Sequence, residues 1–379
     1  MKIIDRGIAV HAQPDSEFQH NACADICVLP SGRWMLGYRS AATKLSNVQH
    51  GMMVISDDEG KSWSRPREPF ADVPKVDGKV GRFRALMFTS LGGSRVMATL
   101  YWVDYSDPSK PFWDEANEWL LDSRLFNSFS EDEGETWSTP SLVNTGKYNH
   151  QPTPITGRGL KLADGQLALL FELNKGAGMT GPWIHKPIII FSDDDGKTWK
   201  DETTTIGTHA ADDATYYWDQ RCNVLPDGSL MTCYWTFDTK AAIYRNLHFT
   251  RSFDHGKTWT APQDMGIPGQ AAQPVGLPDG RIMFAYVDRE NTPTIRARLS
   301  SDGGKSWPDS TDLIIQQPNV DKQQVGKTNT QDAWDEMEKF TIGLPMAHAV
   351  GDDEMIVIYY HGPNIQQSNL EWVRIAADS

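Results

Sequence analysis

The chain has 379 residues, a formal net charge of −14, 39% hydrophobic residues and 14 tryptophans. That acidic excess argues against nucleic acid or an anionic membrane as partner, and no apolar run is long enough to span a bilayer. The four cysteines are too few for a disulfide scaffold and lack zinc-site spacing, so neither a metal nor a cofactor is expected. The opening segment, Met1 to Gln13, lacks the long apolar stretch of a secretory leader and reads as a short strand through Ile3, Ile4, Ile8 and Val10. As it stands the sequence predicts a cytoplasmic protein, or a secreted or periplasmic one if a leader has been trimmed.

Strand pairs then follow in sequence, each joined by a Gly-containing turn. The first unit runs Cys23 to Leu29, turns at Ser31-Gly32 and returns through Trp34 to Tyr38, with a third strand over Met52 to Ile55. The second runs Phe83 to Thr89 and returns through Val96 to Trp102. An aromatic insertion of about twenty residues, Asp104 to Asp122, follows and could form a lip or lid. The third unit starts near His150, turns at Asp164-Gly165 and returns through Leu167 to Phe171. The fourth starts near Trp218, turns at Asp227-Gly228 and returns through Leu230 to Trp235. A two-residue turn there sets Cys222 opposite Cys233, as buried free thiols. The fifth starts near Gln273 and returns through Ile282 to Tyr286. The sixth starts near Ile342, returns through Met355 to Tyr360, and is completed by Leu370 to Ile375 and the N-terminal strand.

One phrase recurs through this series roughly every 50 to 75 residues. It reads SDDEGKSW from Ser56 to Trp63, SEDEGETW from Ser130 to Trp137, SDDDGKTW from Ser192 to Trp199 and SFDHGKTW from Ser252 to Trp259. The fifth copy, Ser300 to Trp307, reads SDGGKSW after a doubled serine. An Asp followed two residues later by Gly marks a tight turn: the carboxylate accepts backbone N–H groups and Gly takes a positive φ. The hydroxyl bonds the same turn, and the Trp packs between sheets with its N–H satisfied. These segments are expected to be structural rather than catalytic.

The phrase resembles the Asp-box of the sialidase (neuraminidase) superfamily, and the likeness runs from about Ala22 to Trp372. It implies an all-β fold: one six-bladed β-propeller over 1–379, with five Asp-box hairpins and a ring closed by the N-terminal strand. The resemblance also places the boxes on the face away from the active site. Loops from all blades converge on the other face. The polar residues expected there are Arg39, His50, Arg82, Arg84, Asp104, Arg124, His150, Gln151, Glu172, His185, Asp219, Arg221, Arg245, Asp288, Arg289, Arg296, Tyr359, Tyr360 and His361. Arginine forks suit a carboxylate, and carboxylate, His and Tyr supply acid, base or nucleophile.

The family's catalytic pattern is met only in part. Where it has an arginine before the first strand, this chain has Asn21-Ala22-Cys23-Ala24-Asp25. Where it has its acid/base Asp, the loop Ser40 to Gln49 has no carboxylate, although His50 closes it. The Glu that assists the nucleophile corresponds to Asp219. The second and third arginines correspond to Arg245 and Arg296, with Arg221 and Arg289 as rivals. The nucleophilic Tyr gives way to Gly343-Leu344-Pro345.

Catalytic candidates are therefore Asp219, Glu172, His50 and His150. Substrate-binding candidates are Arg39, Arg84, Arg221, Arg245, Arg289, Arg296 and Tyr360, with Trp183 and Trp235 as sugar-stacking platforms. Three functions remain open. One is a sialidase-like exo-glycosidase removing a terminal acidic sugar from a glycan or oligosaccharide. A second is a lyase on a uronate-containing glycan with His50, His150 or Tyr217 as base. The third is a non-catalytic propeller binding a glycan or a protein.

Overall fold

The computed structural model describes residues 1–114, 116–181, 185–204, 214–289, 293–317 and 339–377. It is all-β: the only helical turns of three residues are Gly146–Tyr148 and Asp309–Thr311, both 3-10, among the described residues. No helix among them is long and apolar enough to cross a membrane.

Five large sheets succeed one another along the chain. The seven-stranded sheet joins two antiparallel meanders. One is His20–Val28, Trp34–Ala41 and Gln49–Ser56; the other is Ile342–Val350, Glu354–Asn364 and Gln367–Ala376. A single parallel pair, His20 with Ser368, links them. The strand Lys2–Val10 adds antiparallel to Gln367–Ala376, from Lys2 opposite Ala376 to Val10 opposite Leu370, as expected for the closing strand.

The second sheet is Gly81–Gly92, Arg95–Asp104, Ser123–Ser130 and Ser141–Leu142. The third is Leu160–Lys161, Leu167–Asn174, His185–Ser192 and Lys200–Thr204. The fourth is Thr215–Val224, Leu230–Asp238, Asn246–Ser252 and Gln263–Pro268, with Ile243–Tyr244 beside it. The fifth is Gln270–Gly276, Ile282–Asp288, Thr294–Ser300 and Leu313–Gln316. First strands touch in sequence order and the last returns to the first, giving a propeller-like ring. Apolar side chains of neighbouring sheets interdigitate in between, as Val275, Met283, Val357 and Ile375 do.

The third unit departs from the expected strand at His150. Residues 149–151 form a turn and bend, and 152–159 run on without a regular ladder. Pro152 and Pro154 lack an N–H, so they only accept, from Asn174 N at 3.2 Å and Glu172 N at 2.9 Å. The turn of the fourth unit is also longer than two residues, because Leu225 N bonds Ser229 O. The register therefore sets Cys222 opposite Thr232 and Cys233 opposite Arg221. All four cysteines are free thiols.

The five repeated segments share one turn. The Ser Oγ accepts from the Gly N–H at 2.8 Å in every copy, and donates to the Asp carboxylate. The other Asp oxygen accepts the Ser or Thr hydroxyl at 2.6 Å. Gly60 shows why glycine is required: its φ is +84°, and a Cβ would meet Trp34 at 2.7 Å and Trp372 at 2.8 Å. The tryptophans differ from expectation. The Trp259 indole donates to Gly256 O at 2.9 Å, but the Nε1 atoms of Trp63, Trp137, Trp199 and Trp307 are buried without a hydrogen bond among the described residues. Packing, not polar satisfaction, holds those four.

The innermost strands carry a repeated irregularity. Register shifts fall between Ala22 and Asp25, Trp218 and Arg221, Gln270 and Gln273, and Gly343 and Met346. Within them, Cys23, Asp219, Ala271 and Leu344 take φ of 51°, 50°, 48° and 50°. A further shift, between Phe83 and Ala85, falls at Arg84. A bulge of this kind re-aims one side chain out of the strand's alternation.

Candidate active site

A cavity of about 540 Å³ is lined by residues from the first four large sheets and by Arg289, which follows a strand of the fifth. Bulges deliver four of them: Cys23, Arg84, Asp219 and Leu344. Ends of second strands deliver Arg39, Glu172 and Tyr360, with Arg289 just beyond one such end. The insertion supplies a wall. Its short hairpin, Trp113–Asp114 paired with Trp119–Leu120, brings Pro111, Phe112, Trp113 and Leu120 to the cavity beside Trp218 and Trp235. No residue of the five repeated turns lines it.

The hydrogen bonds of the four arginines go to neutral acceptors. Arg39 Nε donates to Gln49 Oε1 at 2.7 Å, and its Nη2 to the carbonyls of Thr43 and Ser46. Arg84 Nη1 donates to the same Gln49 oxygen at 3.0 Å, with its guanidinium 4.2 Å from the Phe112 ring centre. Arg221 is held by Pro345 O. Arg289 binds Gln270 Oε1 at 2.9 Å, Ile342 O at 2.9 Å and the Tyr360 hydroxyl at 3.2 Å. Lys44 donates to Phe340 O at 2.7 Å and reaches the Tyr360 hydroxyl at 3.4 Å. Burial, and then the neighbouring Arg84, disfavour the charge of Arg39. A guanidinium keeps its proton regardless, so this cost remains in the folded protein until an anion arrives.

Two carboxylates face these cations. Glu172 Oε1 accepts from Gln220 N at 2.9 Å and Thr156 Oγ1 at 3.1 Å, and its Oε2 lies 3.0 Å from His185 Nε2. Asp219 has its pKa raised by burial, against the pull of Arg221. Burial also raises the Tyr360 hydroxyl, against Arg289. His20, 1% exposed at the cavity, is pushed down to about 3 by burial and by Arg39 and Lys44, so its ring is neutral.

Of the sequence candidates, Asp219, Glu172, Arg39, Arg84, Arg221, Arg289 and Tyr360 meet in this cavity, with His185 and Trp235. The others lie elsewhere. His50 sits on a third strand between Glu68, at 2.6 Å, and Glu17, at 3.3 Å. His150 is exposed in the irregular stretch. Arg245 pairs with Asp238 and Arg296 with Asp312. Third strands stand roughly 10 Å outward from first strands, two spacings of about 4.8 Å, which removes His50 and Arg296 from the centre. Tyr359 and His361 turn to Glu371 because alternate residues face opposite sides of the sheet.

Arg82 lies over Tyr105, Asp104 approaches Lys79, and Arg124 pairs with Asp122. Gln151 and Asp288 do not line the cavity, and neither does Tyr217, which packs on Tyr234 and His248. Trp183 is outside the described residues. The sequence reading missed His20, Cys23 and Lys44. Lys44 stood in the loop searched only for a carboxylate, and Cys23 in the slot searched only for an arginine.

Residues 106–340, more than half of the chain, match the BNR repeat-like domain family. No curated protein matches the sequence. Among solved structures, a Dyadobacter fermentans protein of unknown function superposes with a TM-score of 0.73 at 17% identity, covering 99% of each chain. A Hadza microbial sialidase gives 0.65 at 18% identity, over 98% of this chain and 68% of its own. The intramolecular trans-sialidase of Ruminococcus gnavus, solved with oseltamivir carboxylate, gives 0.64 at 14% identity, over 98% and 97%. At these identities the likeness is one of fold.

Proposed function

The chain belongs to the BNR repeat-like family, within the sialidase superfamily of propellers, and from that premise we propose that it is a sialidase-like exo-glycosidase hydrolysing a terminal acidic sugar. The seven-stranded sheet counts in this reading as two blades, making a single six-bladed domain with five Asp-boxes. One observation carries the functional reading. Four guanidiniums, each held by neutral acceptors, line one cavity with the carboxylates Glu172 and Asp219. Guanidinium forks hydrogen-bonded to neutral oxygens can take a carboxylate brought by a ligand.

Tyr360 takes the nucleophile's part. It pairs across the ladder with Gly343, where the resemblance expects a tyrosine, and a Cβ on Gly343 would lie 3.0 Å from the Tyr360 hydroxyl. Tyr360 Oη attacks the anomeric carbon, and its proton passes to Asp219, which lines the same cavity. The anomeric C–O bond breaks, and the Glu172–His185 pair supplies a proton to the leaving oxygen. Water then attacks the anomeric carbon: its hydroxyl stays on the sugar, its proton goes to the Glu172–His185 pair, and Asp219 returns its proton to the Tyr360 oxygen as the sugar–tyrosine bond breaks. The apolar wall of Phe112, Trp113, Trp218 and Trp235 takes the uncharged face of the sugar or its leaving group.

The test is mass spectrometry of products from sialylated and uronate-containing oligosaccharides. Fragments that together exceed the substrate by one water are expected, with kcat lowered at least about 100-fold in Asp219→Asn and Tyr360→Phe. An unsaturated uronate product would mean elimination and overturn the hydrolase reading. Full activity in Tyr360→Phe would overturn the nucleophile.

A further inference from the structure

His20 lines the cavity and is 1% exposed. Its backbone is fixed from two sides. It lies opposite Ala41 in the first meander and forms the parallel pair with Ser368 of the last. The next residue locks this seam: Asn21 donates from its backbone N to Ser368 Oγ and from Nδ2 to Ser368 O, both at 3.0 Å. The Tyr360 ring stands 6.1 Å from the imidazole, centre to centre. His20 is therefore held in place, yet its Nδ1 is buried with no hydrogen bond among the described residues. The other histidine of the cavity, His185, reaches Glu172 at 3.0 Å.

A buried polar group without a partner is costly, and packing alone would be served as well by Phe or Leu. His20 is not kept as a cation either. Burial, then Arg39 and Lys44, outweigh the pull of its own carbonyl toward the charged ring. A neutral imidazole offers one donor and one acceptor, and so does a sugar hydroxyl. A carboxylate finds stronger partners in the guanidinium forks of the same cavity. Tyr360, beside His20, is the residue proposed to attack the anomeric carbon. The hydroxyl nearest His20 therefore belongs to the terminal sugar and not to its leaving group.

We propose that His20 is a substrate-binding residue whose imidazole hydrogen-bonds a hydroxyl of the terminal sugar, and that it selects against sugars lacking that hydroxyl. This rests on the acidic-sugar reading of the same cavity and deepens it. Arginines hold the carboxylate at one edge of the sugar, and His20 reads a second edge. A site built to bond a hydroxyl rejects the deoxy analogue, because the protein's own polar group is then left unpaired.

The experiment is isothermal titration calorimetry on the full chain. The probes are methyl glucuronide and the methyl glycoside of sialic acid, each beside its monodeoxy derivatives. One deoxy derivative is expected to bind about tenfold or more weakly than its parent sugar. In His20→Phe, which keeps a ring against Tyr360, that difference is expected to vanish; His20→Leu takes its place if the first variant does not fold. His20→Asn, which keeps a donor and an acceptor, is expected to restore part of the discrimination. The ratio of parent to His20→Phe affinities is expected to be the same at about pH 5 and about pH 8. A ratio that climbs about tenfold toward acid would mean an imidazolium paired with the carboxylate and would overturn the hydroxyl contact. A deoxy penalty of equal size in the protein and its Phe or Leu variant, or no penalty for any derivative, overturns the role of His20 and leaves the acidic-sugar reading standing. No binding of any probe overturns both.

Discussion

Arg39 and Arg84 share a single acceptor, the Gln49 side-chain oxygen, at 2.7 Å and 3.0 Å. Two buried or half-buried guanidiniums on one neutral amide are held in place without being neutralised. Gln49→Glu would put a resident carboxylate between them at nearly the same shape. Charge-assisted hydrogen bonds contribute roughly 1.5–3 kcal/mol, more than neutral ones. The variant is expected to melt higher, and to raise KM for the acidic substrate about tenfold by competing with it for the same cations. Differential scanning calorimetry and steady-state kinetics check the two effects. A higher Tm with an unchanged KM would show that the pair does not meet the substrate.

A second buried pair ties the ring across its axis. Arg158 Nη2 lies 2.5 Å from Asp25 and 3.0 Å from Ala347 O, so one side chain joins the first, third and last units. Asp25 is fully buried. Asp25→Asn strands the guanidinium charge and is expected to cost about 3–5 kcal/mol in urea unfolding, whereas Asp25→Leu with Arg158→Met is expected to lose far less. A single variant as stable as the double one would show that the charge is relieved by some other route.

The repeated turns set the behaviour in acid. The Thr136 hydroxyl, and then the Thr136 N–H, hold Asp132 down to about 2. Asp58, held by Ser62, is lowered as well. A carboxyl depressed in the folded state contributes stability above its unfolded pKa of about 3.9 and loses it as pH falls through the folded value. Tm should therefore be flat near neutrality and fall between about pH 4 and pH 2. Asp132→Asn should melt lower than the parent at pH 6, with a gap that narrows across that window. A gap independent of pH would assign the effect to turn geometry instead of charge.

The ring was legible because its signal is local and repeated: Ser56, Asp58, Gly60 and Ser62 close a turn that needs nothing beyond eight residues, and the chain says it five times. The site was harder. Arg39, Arg84, Glu172, Asp219, Arg221, Arg289 and Tyr360 were found by asking which residues end or begin inner strands. His50 and Arg296 were expected there as openings of third strands, yet third strands stand too far out. What no pattern of alternation reveals is the bulge. Cys23 and Asp219 reach the cavity through a positive φ, and neither residue type announces that conformation. Lys44 arrives from a loop whose course depends on carbonyls gripping Arg39.

Closure of the ring pairs Lys2 with Ala376. Apart from the single parallel pair His20–Ser368, the other ladders among the described residues join segments near one another in sequence, so most of the sheets can form as they emerge from the ribosome. The last seam cannot: its first strand must wait through synthesis of nearly all the residues between, its apolar face and open edge available to other chains. Contacts of such sequence separation form late and slowly. The same seam makes the finished molecule hard to open from an end, because neither Lys2–Val10 nor Gln367–Ala376 can peel away without breaking the other's pairing. The closing strand is thus a hazard during birth and a lock afterwards.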